Sequence, residues 1–129
     1  MSLFSRRARR YWSAEAHRRN VENQVRMAPS TLTELGRYGV TSQSELKLEF
    51  FFYTDTTAKA ASLAVDLTQL GYQVQYGLAA TDNGQAVVTG WTTPMPMSKE
   101  NVVAWTRQMC NLGFDHDCEF DGWGTTPEQ

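Results

Sequence analysis

The residue types that could do chemistry are densest near the C-terminus, in Phe114-Asp115-His116-Asp117-Cys118-Glu119-Phe120-Asp121. Carboxylates, an imidazole and a thiol stand side by side there, so nucleophilic, acid–base and metal chemistry must each be weighed. A Cys–His or Ser–His nucleophile needs a base and an orienting group converging on one pocket. The chain offers His17 in an arginine-rich arm and His116 in the run itself, with no Gly-rich phosphate loop and no nucleophile elbow. His116 and Cys118, taken with Cys110 and His17, raise a zinc site, but no second ligand pair stands at zinc-site spacing. Asp115, Asp117 and Glu119 on one strand face would stand about 6–7 Å apart, too far for a tight cation site without loop ligands. These residues predict no enzyme, no metal and no cofactor.

The same run alternates. Phe114, His116, Cys118 and Phe120 fall on one side of an extended chain, and Asp115, Asp117, Glu119 and Asp121 on the other. The period predicts a strand with one packed side and one row of carboxylates. Charges on a strand's solvent face commonly do no more than discourage aggregation. Four like charges on one face repel, however, and such a row suits a basic surface on a protein partner. It also argues against this body gripping RNA phosphates. The strand ends in Gly122-Trp123-Gly124-Thr125. Trp123 between two glycines reads first as a lid on the core and second as a partner hot spot.

The elements that must position these residues belong to one ordinary domain. With 129 residues, 41% apolar and 20% charged, the chain can bury about two-thirds of its unfolded surface. No uninterrupted apolar run is longer than Phe50–Tyr53, which predicts no membrane span. No apolar segment follows the first arginines, so no secretory signal is expected, and Cys110 and Cys118 read as reduced core thiols of a cytoplasmic protein. The net charge of −2 hides a split. Residues 1–19 hold six arginines against Glu15, and residues 20–129 hold six basic against thirteen acidic residues. A basic arm, residues 1–28, is joined to an acidic body, residues 29–129, with its core at about 46–125. Arg6, Arg7, Arg9 and Arg10 would lie on a solvated helix or contact RNA. Nothing in the sequence sets the oligomeric state.

Along the chain, residues 5–27 predict a helix, broken at Ala28-Pro29-Ser30. Thr31-Leu32-Thr33-Glu34 has capping-box spacing for a second, short helix ending at Gly36 or Gly39. Leu46–Tyr53 predicts a strand with Leu46, Leu48, Phe50 and Phe52 on one face and Lys47, Glu49, Phe51 and Tyr53 on the other. A helix over 58–70 stops at Gly71, and a strand over 72–81 leads into the hairpin turn Asp82-Asn83-Gly84. The return strand runs from Gln85 to about Thr92, ahead of Pro94 and Pro96. Ser98 caps a helix to Leu112 that Gly113 should stop.

The order β-α-β-β-α-β predicts an α+β, ferredoxin-like split sandwich. Its four-stranded antiparallel sheet would carry two helices on one face, and N-terminal helices would precede it. Its first and last strands would be neighbours. The open face would then join the carboxylate row to Glu49, Phe51 and Tyr53.

Leu70-Gly71-Tyr72-Gln73-Val74, the Leu-Thr-Glu-Leu segment at 32–35 and the terminal Phe120-Asp121-Gly122-Trp123-Gly124-Thr125 resemble one bacterial family, the type B regulators of ribonuclease E activity. The likeness spans roughly residues 25–125. It implies a non-catalytic inhibitor that binds ribonuclease E and alters which RNAs are cut. Two departures are the basic arm and the lack, after Gln129, of the acidic tail of better-known members. Two other readings use the same charges. One is an immunity-type protein neutralising a toxin nuclease, and the other a small RNA-binding module working through the arginine arm.

Overall fold

Ser13 stands at the head of the first helix. In the computed structural model, which describes residues 10–79 and 84–129, its hydroxyl accepts from the Ala16 N–H at 3.1 Å and starts helix α1, Ala14–Gly36. Glu15 in the first turn complements the positive end of the helix dipole. The remaining elements are β1 (Glu45–Leu46), β2 (Glu49–Thr54), α2 (Thr57–Gln69), β3 (Gln73–Leu78), β4 (Ala86–Trp91), β5 (Met95–Pro96), α3 (Lys99–Asp115) and β6 (Glu119–Gly124).

Two sequence expectations fail in α1. Residues 10–13 are not helical, and the break at 28–30 does not occur, so the boundary expected at residue 28 falls inside the helix. Pro29 lacks the N–H for an i→i−4 bond and costs about 3 kcal/mol in a helix interior. Tertiary packing outweighs it, because Ala28 and Leu35 are buried in the core and Val21 and Leu32 pack against it. Thr31 caps nothing. Its hydroxyl donates back to the Met27 carbonyl, and that of Thr33 to the Pro29 carbonyl.

Four strands form one antiparallel sheet in the order β3-β4-β2-β6, so the first and last long strands are neighbours as expected. The expected 46–53 strand is split, because β1 leaves to pair with β5 in a separate two-stranded sheet. Leu46, Leu48, Phe50 and Phe52 are all buried, as their alternation predicts. Phe50, Phe52, Val88 and Phe120 line one side of the main sheet. Ala60, Leu63 and Leu67 of α2 and Val102, Trp105, Met109 and Cys110 of α3 close over them in one core. Helix α2 ends as predicted, with Gly71 at φ +87°. Of the Asp82-Asn83-Gly84 turn, residues 82 and 83 lie outside the described residues, while Gly84 has φ +76°.

The largest departure is at the end of α3. Gly113 does not stop the helix, which runs on to Asp115. A Cβ at Gly113 would stand 2.7 Å from the Cys118 carbonyl oxygen and 2.8 Å from the Phe52 ring, so this glycine serves close packing. The stop is Asp117 at φ +58°, in the left-handed conformation usually taken by glycine. Its N–H donates to the Phe114 carbonyl at 3.0 Å, and the Cys118 N–H to the Gly113 carbonyl at 2.7 Å. This bond pair is a Schellman ending. The alternating run from 114 to 118 is therefore a helix end and a turn, and only Glu119 onward is strand.

Candidate partner-binding face

The carboxylate row is dispersed by that helix end. Asp115 is exposed on α3, and Asp117 is buried. Only Glu119 and Asp121 lie on β6, where Glu119 is half-buried opposite Tyr53.

Asp117, expected on the exposed row, is a hub facing inward. Its carboxylate accepts from the Tyr11 and Trp12 N–H groups and from the Lys59 ammonium at 2.7 Å, and the Arg10 guanidinium lies 3.5 Å away. Burial would push this carboxyl up. The Lys59 ammonium and the two N–H donors outweigh that effect and hold it below its usual range. Lys59, desolvated in turn, is held above the ordinary lysine value by Asp117 and Asp55. Arg10, grouped with the RNA contacts of the arm, is engaged within the chain. Its guanidinium sits 4.2 Å over the Phe114 ring and donates to the Phe114 carbonyl. Arg6, Arg7 and Arg9 lie outside the described residues.

The histidines serve as fasteners between helices. His116, expected on a strand, is half-buried at the α3 terminus. One ring nitrogen is 2.8 Å from the Ser62 hydroxyl and the other 2.7 Å from the Asp66 carboxylate. Ser62 and Asp66 are four residues apart on α2, so the trio clamps the end of α3 to α2. His17 stacks on Phe114 at 4.3 Å and 14° and contacts Asn111, which fastens α1 to α3. Cys110 and Cys118 are free and buried. Burial pushes their thiols up to about 12 and about 11, out of the range of a reactive thiolate.

Trp123 reaches the core through a backbone irregularity. Phe51 pairs with Gly122 and Phe52 with Phe120, which leaves Asp121 as the extra residue of a β-bulge. Regular alternation from the buried Phe120 would turn Trp123 outward. The bulge reverses it, so Trp123 lies opposite Phe50 and meets Trp105 edge to face at 6.4 Å and 82°. Gly122, at φ +118°, supplies the conformation that the bulge requires. Gly124 pairs with Glu49, and the Thr125 hydroxyl donates to the Lys47 carbonyl at 2.7 Å.

What remains on the open side of the sheet is a face of mixed character. Phe51, Tyr53 and Trp91 are half-buried there, with Glu49 and Glu119 among them and Asp121 at the β6 edge. Trp91 and Gln73 belong to two adjoining hollows of about 630 and 440 Å³, the second also lined by Glu49, Gln75 and Thr89. Sequence reasoning missed Trp91, although Val87, Thr89 and Trp91 share the parity opposite to the buried Ala86, Val88 and Gly90. Glu119 and Asp121 have no ion-pair partner among the described residues. Burial pushes both carboxyls up, and Asp121 raises Glu119 further by repulsion.

Fold and surface together define a small mixed α/β protein built on a four-stranded antiparallel sheet. Among the described residues no helix is long and apolar enough to cross a membrane. The family model for Regulator of ribonuclease activity B matches residues 28–125, and the chain belongs to that family. A relative from Photobacterium profundum, itself named Regulator of ribonuclease activity B, is 26% identical over 110 residues, covering 81% of this chain and 82% of its own.

Proposed function

We propose that this chain is a non-catalytic regulator in the bacterial cytoplasm. It would bind an RNA-degrading enzyme of the ribonuclease E type through the open sheet face and change how that enzyme cuts RNA. Membership of a family of regulators of ribonuclease activity supports the partner class. The strand order β3-β4-β2-β6 within β-α-β-β-α-β supports a ferredoxin-like arrangement, which leaves one sheet face open for contact.

One observation carries the choice of surface. Glu119 and Asp121 are partly desolvated, raised carboxyls with no cation beside them among the described residues, next to the aromatic side chains of Phe51 and Tyr53. A lysine or arginine from a partner would relieve the burial cost and the mutual repulsion together, while the aromatic rings supply area. Asp115 and Asp117 drop out of the contact, the first because it lies on α3 and the second because its charge is satisfied internally.

The test is a pull-down and a cleavage assay with a ribonuclease E fragment. Glu49→Gln, Glu119→Gln and Asp121→Asn combined should weaken binding at least tenfold and remove its salt dependence. Phe51→Ala with Tyr53→Ala should weaken it at every salt concentration. Undiminished binding by both sets would exclude this face. RNA binding that falls steeply with salt and is lost on deleting residues 1–9 would favour the arginine-arm reading instead.

A further inference from the structure

The opposite edge of the sheet carries a second surface. Among the described residues β3 pairs only with β4, so its outer backbone edge has no partner strand. Edge strands are ordinarily blunted by a charge, a proline, a bulge or a covering element. Gln73-Val74-Gln75-Tyr76-Gly77-Leu78 contains neither charge nor proline and keeps a regular register with β4. Beside it, between β3 and α2, runs a shallow groove of about 390 Å³ lined by Ala61, Ala64, Val65, Thr68, Val74 and Tyr76. Val65, Tyr76 and Leu78 are 55%, 53% and 73% exposed.

We propose that a second copy of this chain pairs with this edge, β3 against β3, and joins the two four-stranded sheets into one across a two-fold axis. Self-complementarity is the first reason. An axis normal to the sheet keeps the helical side of one copy level with that of the other, so opposed residues must share parity. A register centred on Tyr76 sets Val74 against Leu78 of the second copy and Tyr76 against its own equivalent, and it sets Gln75 against Gly77. Every pair on the helical side is then apolar, with an aromatic pair at the centre.

Charge is the second reason. Outside the span 67–98, residues 20–129 carry twelve acidic against six basic side chains, so the charge of the body is spread over its other surfaces. Residues 67–98, which make up β3, β4 and β5, contain a single Asp, Glu, Lys, Arg or His residue, Asp82. Two acidic bodies can meet along this uncharged strip. The pairing is in the plane of the sheet and at the edge away from β6, so it leaves the exposure of Phe51, Tyr53 and Glu119 unchanged in both copies.

Light scattering on the full chain across a concentration series should give twice the chain mass. Tyr76→Cys should form an intermolecular disulfide under mild oxidation. Opposed Cα atoms in an antiparallel pair stand about 4.5–5.5 Å apart, within disulfide reach, and the native cysteines are buried. Tyr76→Glu and Tyr76→Lys should each be folded by circular dichroism and monomeric alone, and they should form a mixed dimer when combined. A wild-type mass of one chain at every concentration would overturn the proposal. So would an unchanged dimer in folded Tyr76→Glu.

Discussion

The two edges of the main sheet solve opposite problems. At β6 a bulge at Asp121 twists the strand, the Asn20 side chain donates to the Phe120 carbonyl at 2.9 Å, and α1 packs alongside. At β3 the strand is regular, uncharged and flanked by exposed Val65, Tyr76 and Leu78. Since unprotected edges invite pairing, the difference separates an edge closed by its own chain from one that has no partner strand among the described residues, where the second copy is proposed to pair. The carboxylates follow the same division. Asp117, Glu119 and Asp121 cluster at the β6 end, while the β3–β4 half of the sheet is almost free of charge.

The comparison is most sharply tested at Asp117. Asp117→Ala should destabilise the chain by about 2–3 kcal/mol in chemical denaturation, because it leaves Lys59 with Asp55 alone, removes the acceptor of the Tyr11 and Trp12 N–H groups and imposes a left-handed backbone on alanine. Asp117→Gly, which relieves the backbone, should recover about 1 kcal/mol of that loss. The carboxyl is held below its ordinary value of 3.8, so its contribution is complete above that pH and is lost as pH falls through the lowered value. Asp117→Asn should therefore flatten the acid limb of a stability–pH curve, and an unchanged limb would remove the hub from the account.

On the β3 side, Gly90→Ala should cost about 2–3 kcal/mol, because its Cβ would stand 1.9 Å from the Gln73 carbonyl oxygen of the paired strand. Hydrogen exchange should then loosen β3 before β6. Asn20→Ala should cost about 1 kcal/mol, the worth of the bond capping the β6 edge. The equivalent truncation on β3, Tyr76→Ala, should leave the monomer within about 0.5 kcal/mol. The smallest effect has the opposite sign. Glu119 is raised by burial and by Asp121, so its charge opposes folding once pH exceeds the unfolded value. Glu119→Gln should raise the thermal midpoint slightly while weakening ribonuclease binding. A fall in the midpoint would show that the carboxylate is satisfied internally.

Much of the fold is legible from pattern alone. Leu46, Leu48, Phe50 and Phe52 alternate and are buried, Ser98 caps α3, and Gly71 ends α2 at positive φ. The candidate site is legible only in part. Glu49, Phe51 and Tyr53 lie on the open face, but the run from 114 to 118 mimics a strand while completing a helix. Gly113 reads as a stop and Asp117 as a surface charge because each signal is local, whereas both roles depend on Phe52, Lys59 and the chain at Tyr11. Ser13 is a readable cap, masked by an arginine-rich stretch with good helix propensity on either side.

The order of the four long strands and the two helices between them, the buried side of β2 and the excess of acid in the body come from the sequence itself, because residue spacing and side-chain polarity act over a few residues at a time. Which carboxylates meet solvent, which side Trp123 faces and which edge stays open were decided only in the tertiary structure. A single bulged residue at 121 reverses the parity of the residues after it, and a single left-handed residue at 117 converts the apparent strand before it into a helix end. The partners that make such one-residue shifts favourable stand far away in the chain.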